Sequence, residues 1–198
     1  MKPDGRGHRY AKRMAGNVSR NSCGLILLLF LGGQFPGNLQ IKKEQNMSDA
    51  IVGASDAAAA IRTLEYKFVA AFNAGDIDGM MKNYIPDKSL VVFDVVPRKE
   101  YLGADAYRED WVDFFSHFRG RPKIAITDLD ITAEGNIGFS HSLQHVMGTD
   151  MQGHPVDRWV RVTDGFRKIG GKWFIVLEHI SVPVDLRTGK ADLTGKPY

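Results

Sequence analysis

Asp94 is the first residue that could do chemistry, because it is a carboxylate at the end of an apolar run. It follows Leu90-Val-Val-Phe93, a stretch typical of a strand. A carboxylate beside apolar surface can take a proton from a carbon next to a carbonyl, and desolvation would raise its pKa toward working pH. The alternative is a solvated carboxylate at a strand end. Asp94 is therefore the candidate general base.

Two histidines offer a second kind of chemistry. In residues 139 to 147 apolar and polar residues alternate, and His141, Leu143 and His145 belong to the more apolar set, which is predicted to face inward. The histidines are then either hydrogen-bonded core residues or pocket groups that donate, accept or relay protons. Four residues of strand span roughly 13 Å, too far for both rings to bind one ion. No metal site is expected.

The remaining motifs favour no nucleophile and no cofactor. His179 and Ser181 share one face of the last predicted strand, but no Gly-x-Ser-x-Gly sequence surrounds the serine. We interpret this pair mainly as structural. The glycine-rich turns lack the spacing of a phosphate-binding loop. The prediction is a site that works without a bound cofactor.

Charge and cysteine content exclude other classes of function. The 198 residues carry a net charge of +3, but residues 1 to 46 hold eight of the 26 basic and only two of the 23 acidic residues. The rest carries 18 basic and 21 acidic residues, so no nucleic-acid partner is expected. The only cysteine is Cys23. Disulfides, cysteine-bound metals and a cysteine nucleophile are thereby excluded after residue 46.

Residues 1 to 46 are predicted to be a leader outside the domain. Their apolar run, Leu25 to Leu31, is far short of the roughly 20 residues that span a membrane, so no membrane partner is expected. A signal peptide and secretion are one reading, since basic residues precede the run. In the other, translation begins at Met47, because Lys42 to Asn46 can be encoded by a purine-rich bacterial ribosome-binding sequence. We predict a cytoplasmic protein, with a secreted or periplasmic one as the alternative.

Three helices are predicted ahead of the long strands. Apolar residues recur at helical spacing from Asp56 to Phe72, where Asn73-Ala-Gly75 ends the pattern. Asp76 then caps a short second helix that ends before Pro86. An aromatic stripe after Gly103 indicates a third helix, and core packing is its simplest use.

Strands dominate the second half. One is predicted at 89 to 96, and four longer ones at 123 to 133, 137 to 149, 156 to 168 and 172 to 182. Their short turns predict an antiparallel meander, and the element order predicts an α+β domain over 47 to 186. Residues 187 to 198 are predicted to be a loosely held tail.

Particular motifs resemble a known superfamily. Phe68 to Gly79 is similar to the opening of ketosteroid isomerases, whose base aspartate stands at the Asp94 position, nine residues before a glycine. Arg161 to Trp173, followed by His179-x-Ser-x-Pro183, resembles the signature of SnoaL-like domains. It also resembles the association domain of calcium/calmodulin-dependent protein kinases. The resemblance covers about residues 57 to 184.

The resemblance implies the nuclear transport factor 2-like fold, a cone-shaped, curved, mixed or antiparallel sheet packed on three helices and enclosing a pocket. It makes Asp164 the counterpart of the second isomerase aspartate, which is protonated and donates to the oxyanion. An ion pair with Arg161 or Arg167 is the alternative for Asp164. Phe68 stands where the isomerases have a tyrosine donor, and this departure argues against steroid isomerisation itself.

The implied activity is a cofactor-independent isomerase or cyclase, in the polyketide-cyclase sense, that removes a proton from a small apolar carbonyl compound. Asp94 would be the base, and His141, His145 and Asp164 would polarise the substrate. The alternative is a non-catalytic ligand-binding or association domain. A homodimer is expected, since an exposed sheet has to be covered. The predicted pocket wall comprises Phe68, Tyr84, Trp111, Phe115, Leu143, Phe166 and His179.

Overall fold

A computed structural model describes residues 37–96 and 98–195 of the chain. All of these residues except Gly37 belong to one compact unit, Asn38–Tyr198. The apolar run at 25 to 31 and the predictions made for it lie outside the described residues. Within the described ranges no helix is both long and apolar enough to cross a membrane.

The first helix is longer than predicted. Helix α1 spans Gly37–Ala74 and passes through Asp56, which was expected to lie at its start. The alanines at 57 to 60 have the highest helix propensity, so the chain there continues a helix more readily than it begins one. The domain start predicted at residue 47 falls inside α1 and stays a prediction.

The other two helices lie where their patterns predict. Gly75, with φ of 69°, ends α1 in the left-handed conformation that glycine tolerates best. Helix α2, Ile77–Met81, follows it, and the side chain of Asp76 accepts the Gly79 N–H at 2.8 Å. Helix α3 is Ala104–Ser116.

Six strands form one sheet in the order β2-β1-β6-β5-β4-β3. The four long strands pair as the predicted antiparallel meander, whereas β1 pairs with β6 in parallel and makes the sheet mixed. The strands are β1 Val91–Phe93, β2 Tyr101–Leu102, β3 Lys123–Glu134, β4 Ile137–Thr149, β5 Pro155–Ile169 and β6 Lys172–Ser181.

The tail is more ordered than predicted. Strand β7, Val184–Asp185, pairs with β8, Lys190–Ala191, in a second small sheet. The backbone N–H of Trp159 in β5 donates to the carbonyl of Leu193 at 3.0 Å, so the segment after β6 is tied to the main sheet. Backbone hydrogen bonds hold this tail in place. Such bonds require no periodic spacing of apolar residues, so the sequence pattern did not indicate an ordered tail.

The main sheet curves around the helices because its strands are interrupted by bulges. The β3–β4 register shifts between Thr127 and Asp130, where Asp128 has a φ of 52°. The β5–β6 register shifts between Gly165 and Phe166. Each bulge bends its strand and increases the local twist. The sheet becomes the wall of a cone, as the resemblance implied.

An aromatic cluster fills the space between α1, α3 and the sheet. Phe72 is at its centre, with ring centroids 5.1 to 6.4 Å from four other rings. These neighbours are Phe68, Trp111, Phe114 and Phe115. The aromatic stripe of α3 is therefore core, as its simplest interpretation predicts.

Replacing Phe72 with alanine should lower the free energy of unfolding by about 3–5 kcal/mol, because the cavity it leaves is lined by rigid rings. Urea unfolding followed by tryptophan fluorescence measures this. The control is Tyr66→Ala on the same helix, which removes an aromatic ring that is half exposed. Equal losses for the two variants would contradict a core centred on Phe72.

Candidate active site

The inner face of β4 is polar, which corrects the prediction for this strand. Ser140, Ser142 and Gln144 are buried toward the helices, whereas Phe139 is 52% exposed on the outer face. Alternation separates two faces of a strand but does not say which one covers the core. Here the inner face meets carboxyl groups from other elements, and these require hydroxyl and amide neighbours rather than hydrocarbon.

Neither histidine of β4 reaches the interior. The Nε2 atom of His141 lies 3.9 Å from Asp130 in an exposed pair. His145 stacks on Trp159 with ring centroids 4.3 Å apart, and its Nε2 lies 2.6 Å from the Oδ1 of Asp157. Leu143 shares this outer face. The predicted inward orientation of His141, Leu143 and His145 is wrong.

His179 also lies outside. It is exposed on β6, and its ring makes an edge contact with Phe93 at 5.8 Å. The inward residue is its neighbour Glu178, which is 4% exposed. The prediction that His179 lines the pocket is therefore wrong. Successive residues of a strand point to opposite faces, so assigning the wrong face selects the residue next to the buried one.

A layer of three carboxyl groups crosses the inside of the cone. The sheet register places Ser140, Asp164 and Glu178 in one row across β4, β5 and β6. Glu65 on α1 meets this row, and its Oε1 accepts the Ser140 hydroxyl at 3.0 Å. Glu65 and Asp164 are each 2% exposed.

The carboxyl of Asp164 hydrogen-bonds to those of Glu65 and Glu178, while its Oδ1 has no partner among the described residues. Within the described residues Asp164 forms no ion pair with Arg161 or Arg167, the alternative that the sequence left open. Two carboxylates cannot share a hydrogen bond without a proton, so the layer holds at least one.

Two tyrosine hydroxyls complete the layer from the helical side. Tyr84 donates to Glu178 Oε2 at 2.7 Å, and Tyr107 of α3 donates to Oε1. Burial, and then the negative charge of Glu178, raises the pKa of both tyrosines, so they remain donors. Both hydroxyls donate to a carboxyl and neither tyrosine lines the cavity, so they do not replace the tyrosine donor that the resemblance expects at Phe68.

Burial governs the ionisation of the layer. It raises the pKa of Glu178 to about 7, although the hydrogen bonds from Tyr107 and Tyr84 lower it. Burial, followed by the charges of Glu178 and Glu65, raises the pKa of Asp164 well above its ordinary value. The pKa of Glu65 is raised by burial too. At neutral pH the layer is therefore at least partly protonated.

A cavity of about 420 Å³ lies in the same cone and has mainly apolar walls. Phe68 and Trp111 line it, as does Asp94. Two other predicted wall residues, Tyr84 and Phe166, are fully buried in the core, and Phe115 packs in the aromatic cluster. Further lining residues include Asp110, Gln144, Val160 and Ile180.

Asp94 lies on the cavity wall beside a second carboxyl. Burial raises its pKa, a hydrogen bond from the Val95 N–H opposes this, and the charge of Asp110 raises it further. Asp110 in turn accepts the hydroxyl of Tyr101. A desolvated carboxylate next to another acid holds a proton more tightly than a solvated one, which is the property that a general base needs.

Sequence reasoning missed Glu65, Glu178, Tyr107 and Gln144. A signal existed for the first two. Glu65 lies on the same helical stripe as the apolar residues Ile61 and Phe68. Glu178 occupies one of the alternate positions of β6 that are otherwise apolar. A carboxylate at an apolar position is either paired or functional. The tyrosine and the glutamine carry no such signal, because each fits an ordinary core or surface position.

A profile of the SnoaL-like domain matches residues 61–185, most of the chain from α1 to the end of the large sheet. The chain belongs to the SnoaL-like domain family. No curated protein matches this SnoaL-like chain. The family match explains the cone, and the contacts above show which of its residues meet inside it.

Solved structures agree on the fold. A nuclear transport factor 2-like protein of unknown function from Pseudomonas putida KT2440 is 28% identical, with a TM-score of 0.65 over 73% of this chain and 99% of that one. A ketosteroid isomerase-like protein from Erwinia carotovora atroseptica SCRI1043 is 20% identical (TM-score 0.54; 63% and 94% covered). A candidate scytalone dehydratase from Novosphingobium aromaticivorans DSM 12444 is 14% identical (TM-score 0.59; 69% and 89% covered). The last two similarities show the fold alone.

The raised pKa of Glu178 predicts that this domain loses stability as the pH rises. The folded state holds the proton between the ordinary value of 4.5 and about 7, whereas the unfolded state releases it. The free energy of unfolding should therefore fall by about 2–3 kcal/mol from pH 5 to pH 8. Chemical denaturation at several pH values measures it.

Glu178→Gln should flatten this dependence, since glutamine cannot ionise, while Glu65 and Asp164 would leave a residual slope. The matched control is Glu109→Gln, an exposed glutamate on α3. Parallel curves for wild type and Glu178→Gln would contradict the assignment.

Proposed function

We propose that this SnoaL-like domain is a cofactor-independent enzyme of the isomerase or cyclase type. It removes a proton from the carbon next to the carbonyl of a small, largely apolar compound. The proposal is carried by Asp94, a desolvated carboxyl on the wall of a cavity that is otherwise mainly aromatic and aliphatic. The cavity volume of about 420 Å³ is within the range of small-molecule sites.

The chemistry needs one base and a setting that tolerates negative charge. The Asp94 carboxylate takes the proton, and the electron pair of the broken C–H bond moves onto the carbonyl oxygen to give an enolate. Return of the proton to another carbon completes an isomerisation, and attack of the enolate carbon on a second carbonyl closes a ring. Asp164 is buried in the carboxyl layer and does not line the cavity, so the proposal gives it no direct contact with the substrate. His141 and His145 take no part, because they lie outside the cone.

Asp94→Asn should slow proton abstraction by about 100-fold or more, since the amide cannot act as a base. The measurement is exchange of the α-protons of 2-tetralone in D₂O, followed by NMR. The control is Asp130→Asn, which neutralises an exposed carboxylate on β3 outside the cavity. Unchanged exchange in Asp94→Asn, or no exchange above background with wild type, would refute the proposed base.

The association-domain alternative is favoured by one observation, the apolar outer face of the sheet. Phe139 and Leu177 are 52% and 40% exposed, and the register places both beside Gly165. Glycine leaves no side chain between them, so the two form a continuous apolar surface of the kind that marks an interface. We propose that a second copy of the chain covers it, which is compatible with either function.

Phe139→Glu should convert a dimer to a monomer, because it places a charge in the centre of this surface. Size-exclusion chromatography with light scattering measures the mass. Leu186→Glu is the control, since Leu186 is highly exposed but lies outside both sheets. A monomeric wild type, or a dimer that survives Phe139→Glu, would rule out this interface.

A further inference from the structure

Gln144 is a buried polar residue whose side chain has no partner in the described part of the chain. It is 9% exposed, and its amide makes no hydrogen bond to any residue that the structure describes. It lies on the inner face of β4 and lines the same cavity as Asp94. An amide that lines a cavity without a partner among the described residues is left free to bond a group of a ligand.

No neighbour of Gln144 in the described part of the chain makes a hydrogen bond to its amide. The inward residues on either side of it along the strand are Ser142 and Val146, and its register partner on β5 is Val160; the two valines line the cavity, whereas Ser142 does not. An amide on the wall of a mainly apolar cavity is the arrangement that fixes the orientation of a ligand. The group that satisfies Gln144 must come with the ligand.

Gln144 and Asp94 lie on opposite parts of the wall. Asp94 directly follows β1, and the sheet order places β6 and β5 between β1 and β4. Three strand spacings amount to roughly 14 Å along the sheet, and the curvature of the cone shortens the direct path. Phe68 and Trp111 flank the space. A ligand that reaches both side chains must therefore carry a polar group at each end of an apolar body.

We propose that Gln144 is the specificity-determining residue of the cavity, and that the ligand is a bifunctional ring compound. Its apolar body lies against Phe68 and Trp111, its reacting carbonyl lies at Asp94, and a second hydroxyl or carbonyl group bonds the Gln144 amide. An amide both donates and accepts, so it serves either group. The placement of a reacting carbonyl at Asp94 rests on the proposed function, whereas the hydrogen bond between the ligand and Gln144 does not.

The test compares two probes that differ in one group, 2-tetralone and 6-hydroxy-2-tetralone, by calorimetric titration. Wild type should bind the hydroxylated compound about 5- to 10-fold more tightly, the effect of one added hydrogen bond. In Gln144→Met, which keeps the chain length, this ratio should fall to about 1. Ser142→Ala, on the same face of β4 but outside the cavity lining, should keep the wild-type ratio.

A stability measurement separates loss of the amide from damage to the fold. Unliganded Gln144→Met should unfold at the same temperature as wild type or higher, because the substitution removes no hydrogen bond of the described residues and adds apolar surface to an apolar wall. Gln144→Leu provides a second apolar replacement if methionine packs poorly. Equal binding of the two probes to wild type, binding of neither, or a ratio that survives both substitutions overturns the inference.

Proton exchange is measured separately, so the two proposals can fail independently. A hydroxyl preference that Gln144→Met removes, without any exchange of α-protons by wild type, supports the binding role of Gln144 and refutes the enzyme. Exchange that depends on Asp94, without a hydroxyl preference, supports the enzyme and overturns the role of Gln144.

Discussion

The burial of three carboxyl groups in one layer is the constraint on which the rest of this structure depends. Glu65 comes from α1, and Asp164 and Glu178 come from adjacent strands, so the layer joins the helices to the sheet. Its oxygens need donors in a space without bulk water, and Tyr84 and Tyr107 supply two of them. Because an unpaired carboxylate is far more costly there than a protonated acid, the layer keeps protons that solvated acids would lose.

The layer also explains why β4 has its polar residues inside. Ser140 must donate to Glu65, and the strand period of two then turns Ser142 and Gln144 inward as well. The same period turns Phe139 and Leu143 outward. One hydrogen-bonded row therefore determines both the polar groups available to the cavity and the apolar surface left on the outside of the sheet.

Sequence patterns predicted the elements well and the faces less well. Helical spacing in α2 and α3 and the turns between the long strands are local signals, and those elements lie where they predict. Two features are not local. The parallel pairing of β1 with β6 joins residues more than 80 positions apart, and the face of β4 depends on Glu65, 75 positions earlier. The apolar stripe of Phe139, Leu143 and Met147 favoured the wrong face because burial of carboxyls elsewhere outweighed burial of those side chains.

Stability alone does not require acids inside this cone. Replacing buried ionisable groups with apolar residues of similar size is often neutral or stabilising. Asp164 keeps a buried oxygen without a partner among the described residues, which costs free energy, and Gln144 lines the cavity without a hydrogen bond in that part of the chain. Such costs concentrate where a site must be prepared before its ligand arrives. The amide of Gln144 and the desolvated carboxyl of Asp94 line one cavity, so polar groups occupy positions there that hydrocarbon packing alone would not favour.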